Sequence, residues 1–172
     1  ANGVYAVFER FEESYHVNIF RGFLPQYLFS IFVAILLGFL FLFSVAIFVF
    51  FELYFIKNLS ELSSKIDWIR YGQLILYILA TYISVAILYY FGTIEGKKAR
   101  FFSPGAFMTT ILIAMTTKLF GIYITYFSSY NQLYGSIGAI LILMFYIWLN
   151  SIILLLGFEL NATLTRFKKR DK

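Results

Sequence analysis

Residues 134–161, YGSIGAILILMFYIWLNSIILLLGFELN, decide the class of this chain. No charge falls between Gly135 and Gly157, and an apolar run of that length crosses a bilayer as a helix. The flanks are as telling as the span. Gly135, Ser136 and Gly138 open it with small residues, while Gly157, Glu159 and Asn161 close it. A carboxylate and a carboxamide near lipid are costly unless they find partners or reach the interface. The chain is therefore read as an integral membrane protein.

Composition agrees. Of the 172 residues, 61% are hydrophobic and 13% charged, whereas soluble domains carry about 25% charged residues. Mean hydropathy is +0.81. Aromatic residues reach 22%, which suits lipid-facing surfaces and interfacial belts. There is no cysteine, which excludes disulfides and thiolate metal sites. The net charge of +5 is assigned to basic loops beside an anionic leaflet rather than to nucleic acid. The first 20 residues include Glu9, Arg10, Glu12, Glu13 and His16 and lack the apolar run of a secretory signal. The chain starts at Ala rather than Met, which fits either processing or further residues upstream.

Working outward from span four, three more apolar runs stand out. The four spans are Tyr27–Phe51, Tyr71–Phe91, Gly105–Phe127 and Gly135–Leu160, each long enough for a core of about 30 Å. The runs are continuous rather than alternating, so helices are expected, not barrel strands. Ahead of them, Val4, Phe8, Phe11 and Tyr15 recur at helical spacing among Glu9, Arg10, Glu12 and Glu13. That pattern predicts an amphipathic helix, either interfacial or the tail of an earlier element. Pro25 is expected to break the chain before span one. The expected fold class is all-α: a polytopic transmembrane bundle of four spans plus the N-terminal amphipathic helix. Residues 1–172 then form one membrane domain with a basic tail over 161–172.

Counting Lys and Arg orients it. Arg10 and Arg21, then Lys97, Lys98 and Arg100, then Arg166, Lys168, Lys169, Arg170 and Lys172 put ten on one side, against Lys57, Lys65 and Arg70 on the other. The positive-inside rule places both termini in the cytoplasm. The fourteenth cation, Lys118, lies inside span three.

Helices in lipid associate through small and polar residues, which mark the faces turned to protein. In span one these are Ser30, Ala34 and Gly38; in span two Gln73, Tyr77, Ala80, Thr81 and Ser84; in span four Ala139, Tyr146, Asn150, Gly157 and Asn161. Span three divides most sharply. Thr109, Thr110, Ala114, Thr116, Thr117, Lys118, Gly121 and Thr125 fall on one half and Ile111, Leu112, Met115, Leu119, Ile122 and Tyr123 on the other. Two readings remain open: packing stripes only, or a polar cavity along the threonine half.

Lys118 is the focus of the second reading. It sits about 20 Å along span three, somewhat past the midplane. A charge at that depth faces a bundle interior or a water-filled cavity. Lys118, with Thr110, Thr117, Thr125 and Asn150, is the candidate site for an anion or a lipid headgroup, or part of a proton relay. The alternative is a lysine that snorkels outward or pairs with an acid, for which Glu52 is the candidate. Glu159 and Asn161 are read as a helix-end anchor, or as a cytoplasmic gate or headgroup contact, and Asn150 as interhelical glue. Catalysis finds no support: His16 is the single histidine, and no metal-ligand cluster, cofactor motif or glycine-rich phosphate loop is visible.

The C-terminal stretch YGSIGAILILMFYIWLNSIILLLGFELNATL resembles the signature of the YihY / virulence factor BrkB family of bacterial inner-membrane proteins. Tyr134, Gly135, Ser136, Gly138 and Ala139 match its Y-G-S-L-G-A start. Gly157, Glu159, Leu160, Asn161 and Ala162 match its L-L-L-G-A-E-L-N-A end. FFSPGAF is similar to the family's P-G-A helix start at Ser103, Pro104, Gly105 and Ala106, and AVFERFEESYHV to the segment before its third span. Two positions depart. Tyr146 and Trp148 stand where Trp then Tyr is the family order, and Phe158 replaces a small residue, which alters packing at that end. The resemblance implies the last four spans of a larger six-span protein of the inner membrane and envelope. Relatives have carried a ribonuclease label that no residue here supports. The function it implies is transporter-like handling of a lipid or another anionic or amphipathic solute. No ATP motif is present, so a gradient or partner protein would supply energy. The competing class is a non-transporting subunit or scaffold of an envelope complex. Expected partners are membrane lipids and a further envelope protein or second copy, not nucleic acid.

Overall fold

The computed structural model describes residues 2–13, 22–58, 65–92, 101–127 and 131–170, with side chains described for 2–13, 22–53, 71–92, 101–125 and 138–167. These residues form α1 (Asn2–Glu12), α2 (Phe23–Asn58), α3 (Lys65–Gly92), α4 (Pro104–Phe127) and α5 (Asn131–Arg170). Four are long and apolar enough to cross a membrane: Phe23–Leu53, Tyr71–Gly92, Pro104–Thr125 and Gly138–Phe167. The chain is all-α, as its apolar runs predict.

Helix is what these runs dictate, because in lipid every backbone N–H and C=O must be satisfied within the segment. The polar residues inside the spans follow the same rule. Ser30, Thr81, Ser84, Thr110, Thr125, Ser151 and Thr165 each donate their hydroxyl to the carbonyl four residues earlier. Such back-bonding hides a hydroxyl inside an otherwise apolar helix.

Pro25 does not break the chain ahead of span one. It lies in the first turn of α2, where its missing N–H would have no intrahelical partner in any case. The helix continues at once, with the Gln26 N–H donating to the Gly22 carbonyl at 3.1 Å.

Each span packs on the next, most extensively α4 on α5. The described core is confined to one end of the bundle. It joins Phe8 and Phe11 of α1, Val33 of α2, Val85, Ala86, Ile87 and Tyr89 of α3, Ala106 of α4 and Phe158 of α5. The start of α2, end of α3, start of α4 and end of α5 therefore meet, and consecutive spans run antiparallel. Away from that end the described helix surfaces are open. Phe39, Phe41, Leu42 and Phe43 of α2 and Ile140, Leu141 and Met144 of α5 are all exposed. The Ser30, Ala34 and Gly38 stripe illustrates the change. Ser30 is fully buried, Ala34 half-buried and Gly38 exposed, with no atom near where a Cβ would project. α2 packs on the core over its first half, with Phe29, Leu36, Leu37 and Leu40 set against it.

α1 closes the packed end by laying its apolar face across α2, α3 and α5. Phe8 and Phe11 are fully buried, and Val4 is half-buried, as the helical spacing predicts; Tyr15 lies outside the described residues. Glu12, grouped by pattern with the solvated residues, is instead buried. Glu9, Arg10 and Glu13 do face outward, and Arg10 pairs with Glu13 at 2.6 Å. That exposed pair contributes little stability. The aromatic wedge contributes more. Phe11 stacks on Phe158 with centroids 4.3 Å apart and planes 6° apart, and meets Tyr89 edge-on at 5.7 Å. The wedge depends on Gly92, where a Cβ would stand 2.6 Å from the Phe11 ring.

Removing the wedge should loosen the closed end. Phe11→Ala is expected to cost about 3–5 kcal/mol, the usual range for a fully buried phenylalanine. Reversible denaturation in detergent micelles measures it, and a loss below about 1 kcal/mol, as for a surface position, would contradict the docking of α1.

Candidate functional site

The polar side chains converge on the α3–α4–α5 seam, and its best-built part starts at the N-terminus of α4. Ser103 caps that helix: its Oγ accepts from the Ala106 N–H at 3.3 Å and its carbonyl from the Phe107 N–H at 3.2 Å. Pro104 takes the first helical position, where its fixed φ is pre-organised and no N–H is missed. The next donor, Gly105 N–H, has no intrahelical acceptor. Asn161 of α5 supplies one, with Oδ1 accepting from Gly105 at 2.8 Å while Nδ2 donates to Ser103 Oγ at 2.7 Å. Asn161 and Ser103 are both buried, so these groups satisfy each other away from water.

The helices can approach this closely because two glycines face each other. A Cβ on Gly105 would run into the Gly157 carbonyl oxygen and the Asn161 carboxamide. A Cβ on Gly157 would run into Thr109 Oγ1 and the Tyr89 hydroxyl. Glycine costs roughly 0.5–1 kcal/mol within a helix relative to alanine. Here that cost is offset by contact between two backbones.

One turn further along the seam, Tyr89 ties three helices. Its hydroxyl bonds Thr109 Oγ1 at 2.7 Å and donates to the Leu154 carbonyl at 2.7 Å. Further out, Tyr77 donates to Thr117 Oγ1 at 3.2 Å, and Thr117 bonds the Tyr146 hydroxyl at 2.9 Å. Phe120 stacks on Tyr146 at 4.5 Å. Asn150 returns its amide to the Tyr146 carbonyl at 2.8 Å, and its Oδ1 is buried without a donor among the described residues.

The proposed site residues are only partly brought together. Thr110 is buried, with its hydroxyl spent on the Ala106 carbonyl, and Thr117 and Asn150 lie in the seam. Lys118 does not join them. It is exposed, about 100° around α4 from Thr117, on the flank shared with Gly121 and Thr125, which are also exposed. The threonine half of span three is thus turned inward where α4 meets the core, and opens at the far end. Gly105, Gly157 and Asn161 form the α4–α5 contact itself, and Pro104 lies exposed in the first turn of α4. Glu159 and Gly138 lie half-buried on α5. The side chains of Gly135 and Ser136 lie outside the described residues. Tyr89 escaped sequence reading: it stands beside Tyr90, and nothing in the string tells which tyrosine turns inward. Phe158, a departure from the family pattern, is the surface on which Phe11 stacks.

With this geometry in place, comparison with known proteins is direct. The family model described as Virulence factor BrkB matches residues 1–172. The chain belongs to the virulence factor BrkB family. It is 34% identical over 110 residues to the UPF0761 membrane protein YihY of Salmonella typhimurium, covering 64% of this chain and 37% of that protein. It is 37% identical over 101 residues to YfkH of Bacillus subtilis, whose name includes the words ribonuclease-like, covering 59% of this chain and 36% of that protein. A UPF0761 membrane protein of Pseudoalteromonas translucida is 42% identical over 62 residues, covering 36% of this chain and 21% of the relative. The matched stretches thus span little more than a third of these BrkB-family relatives at most. No solved structure matches. Among the described residues no group of three or more His, Cys, Asp or Glu could hold a metal ion.

The BrkB-family signature residues therefore have a structural task here. Asn161→Leu leaves the Gly105 N–H unpaired and should cost about 1–3 kcal/mol, read from the melting of the purified protein. Gly157→Val should do more and prevent the folded monomer from accumulating, as measured by gel filtration. Unchanged melting in both variants would remove the α4–α5 contact from this account.

Proposed function

We propose that this BrkB-family protein is a transporter-like protein of the bacterial inner membrane that handles a lipid or another anionic, amphipathic solute, engaging its headgroup at Lys118 from the bilayer side. The exposure of Lys118 carries the reading. An ammonium group on an apolar flank beside Ile111, Met115 and Ile122 needs an anion or an aqueous interface to offset its desolvation. Gly121, on the same flank, has no heavy atom within 4 Å of where a Cβ would stand, so there is room beside the lysine. Thr125 lies on that flank too and is exposed. A headgroup reaching this notch arrives laterally, through lipid, and energy would come from a gradient or a partner protein. The positive-inside count assigns the α1 end, which holds the chain's first and last helices, to the cytoplasm. No catalytic role is assigned, and the words ribonuclease-like remain with YfkH.

A second reading, a non-transporting subunit of an envelope complex, is favoured by the seam. Hydroxyls from Tyr77, Tyr89, Thr109, Thr117 and Tyr146 bond one another or backbone, as in a packing surface. In that case Lys118 meets an acid from another protein.

Native mass spectrometry after gentle extraction separates the two. Retained anionic lipid that is lost in Lys118→Met supports the first reading. A stoichiometric protein partner with no specific lipid supports the second, and unchanged lipid retention in Lys118→Met discards the Lys118 site. Reporter fusions at both ends should score cytoplasmic; extracytoplasmic termini would overturn the orientation.

A further inference from the structure

Counting protons separates the two hydroxyl knots of the α3–α4–α5 seam. At the knot nearer α1 every proton is used. Tyr89 donates to the Leu154 carbonyl, so the bond between Tyr89 and Thr109 takes its proton from Thr109. The other knot joins three hydroxyls through two bonds. Tyr77 donates to Thr117 Oγ1, and one further proton serves the bond between Thr117 and Tyr146. One hydroxyl proton, on Thr117 or on Tyr146, therefore has no acceptor among the described residues. An unused acceptor lies on the same seam. Asn150 Oδ1 is shielded and has no donor among the described residues, while the Asn150 amide is committed to the Tyr146 carbonyl.

The spare proton and the spare acceptor are neighbours. Asn150 follows Tyr146 by four residues, so the two share a face of α5 about one turn apart. Inside a membrane span, bulk water does not reach such groups, and each loses its hydration without return unless it finds a partner. The same level of the seam is lined by small side chains. One turn from the knot toward the α1 end, α3 carries Ala80 and α4 carries Ala114, both half-buried on the faces of Tyr77 and Thr117. Two methyl groups there leave room that longer side chains would fill. A polar pocket of about one probe sphere, with two or more hydrogen-bond partners, is what a single water requires.

We propose that the seam binds one water molecule at Asn150, which accepts the spare hydroxyl proton of the Thr117–Tyr146 pair and donates to Asn150 Oδ1. The occupant must both accept and donate, which water does and an alkyl chain does not. It must also be small, because Oδ1 is fully shielded by its surroundings. The knot at Thr117 is then hydrated and the knot at Tyr89 dry. The site does not rest on the reading of Lys118.

Radiolytic labelling tests this on the full chain in lipid nanodiscs. A brief X-ray pulse is given in water enriched in heavy oxygen, and mass spectrometry of the peptides reads oxygen uptake at each tyrosine. Water held at Asn150 forms hydroxyl radicals in place, so Tyr146 should take up solvent oxygen several-fold faster than Tyr89. Asn150→Leu should abolish that excess and lower the melting temperature, because the spare proton loses its water. Asn150→Asp, which keeps an acceptor oxygen, should retain the excess. With no water bound, Asn150→Leu would instead remove an unmet acceptor and raise the melting temperature. Equal uptake by Tyr146 and Tyr89 in the wild-type chain, uptake unchanged in Asn150→Leu, or a raised melting temperature in that variant would each overturn the proposal.

Discussion

The first free N–H of α4 is the constraint around which this bundle is arranged. A helix N-terminus leaves four N–H groups without intrahelical partners, and near lipid water is a poor remedy. Ser103 and Asn161 answer for the donors at Ala106 and Gly105. Asn161 can reach only because Gly105 and Gly157 let the two backbones touch. That contact in turn sets where Thr109 and Tyr89 meet, and where Phe158 presents its ring to Phe11. Capping, close packing and the docking of α1 are one connected arrangement.

The result is a molecule with two unlike halves. Near α1, aromatic rings and hydrogen bonds between helices fill the interior. Beyond Tyr146 and Thr117 the described surfaces are predominantly apolar and open, interrupted by Lys118, Gln73 and Glu52. The proposed engagement of a headgroup at Lys118 rests on the open half. The exposed charges at Lys118 and Glu52 have opposite sign and lie on different helices.

Much of the architecture was legible in the string. Continuous apolar runs of more than 18 residues admit few folds besides membrane helices. The spacing of Phe8 and Phe11 foretold the buried face of α1. Gly157 was read on the face of span four turned to protein, whereas Gly105 stood only as part of a helix start, and its role opposite Gly157 came from the structure. The site was harder to read, because a helical face spans many degrees and a side chain's angle alone does not tell what stands opposite. Lys118 and Thr117 are neighbours in sequence, yet one faces out and the other joins the seam. Periodicity put both on one half because it cannot show where α4 parts from its neighbours. Gly38 failed for the same reason: its stripe begins in the core and runs out of it. Pro25 was misplaced because a helix breaker in mid-sequence is also a good residue for a first turn.

The chain contains no cysteine, so one engineered pair tests the central contact without background. Ser103→Cys with Asn161→Cys should form an intramolecular disulfide rapidly under mild oxidation in native membranes. Met115→Cys with Met144→Cys, on exposed positions of the same two helices, should not. If the first pair oxidises no faster than the second, α4 and α5 do not meet at their glycines and the account fails.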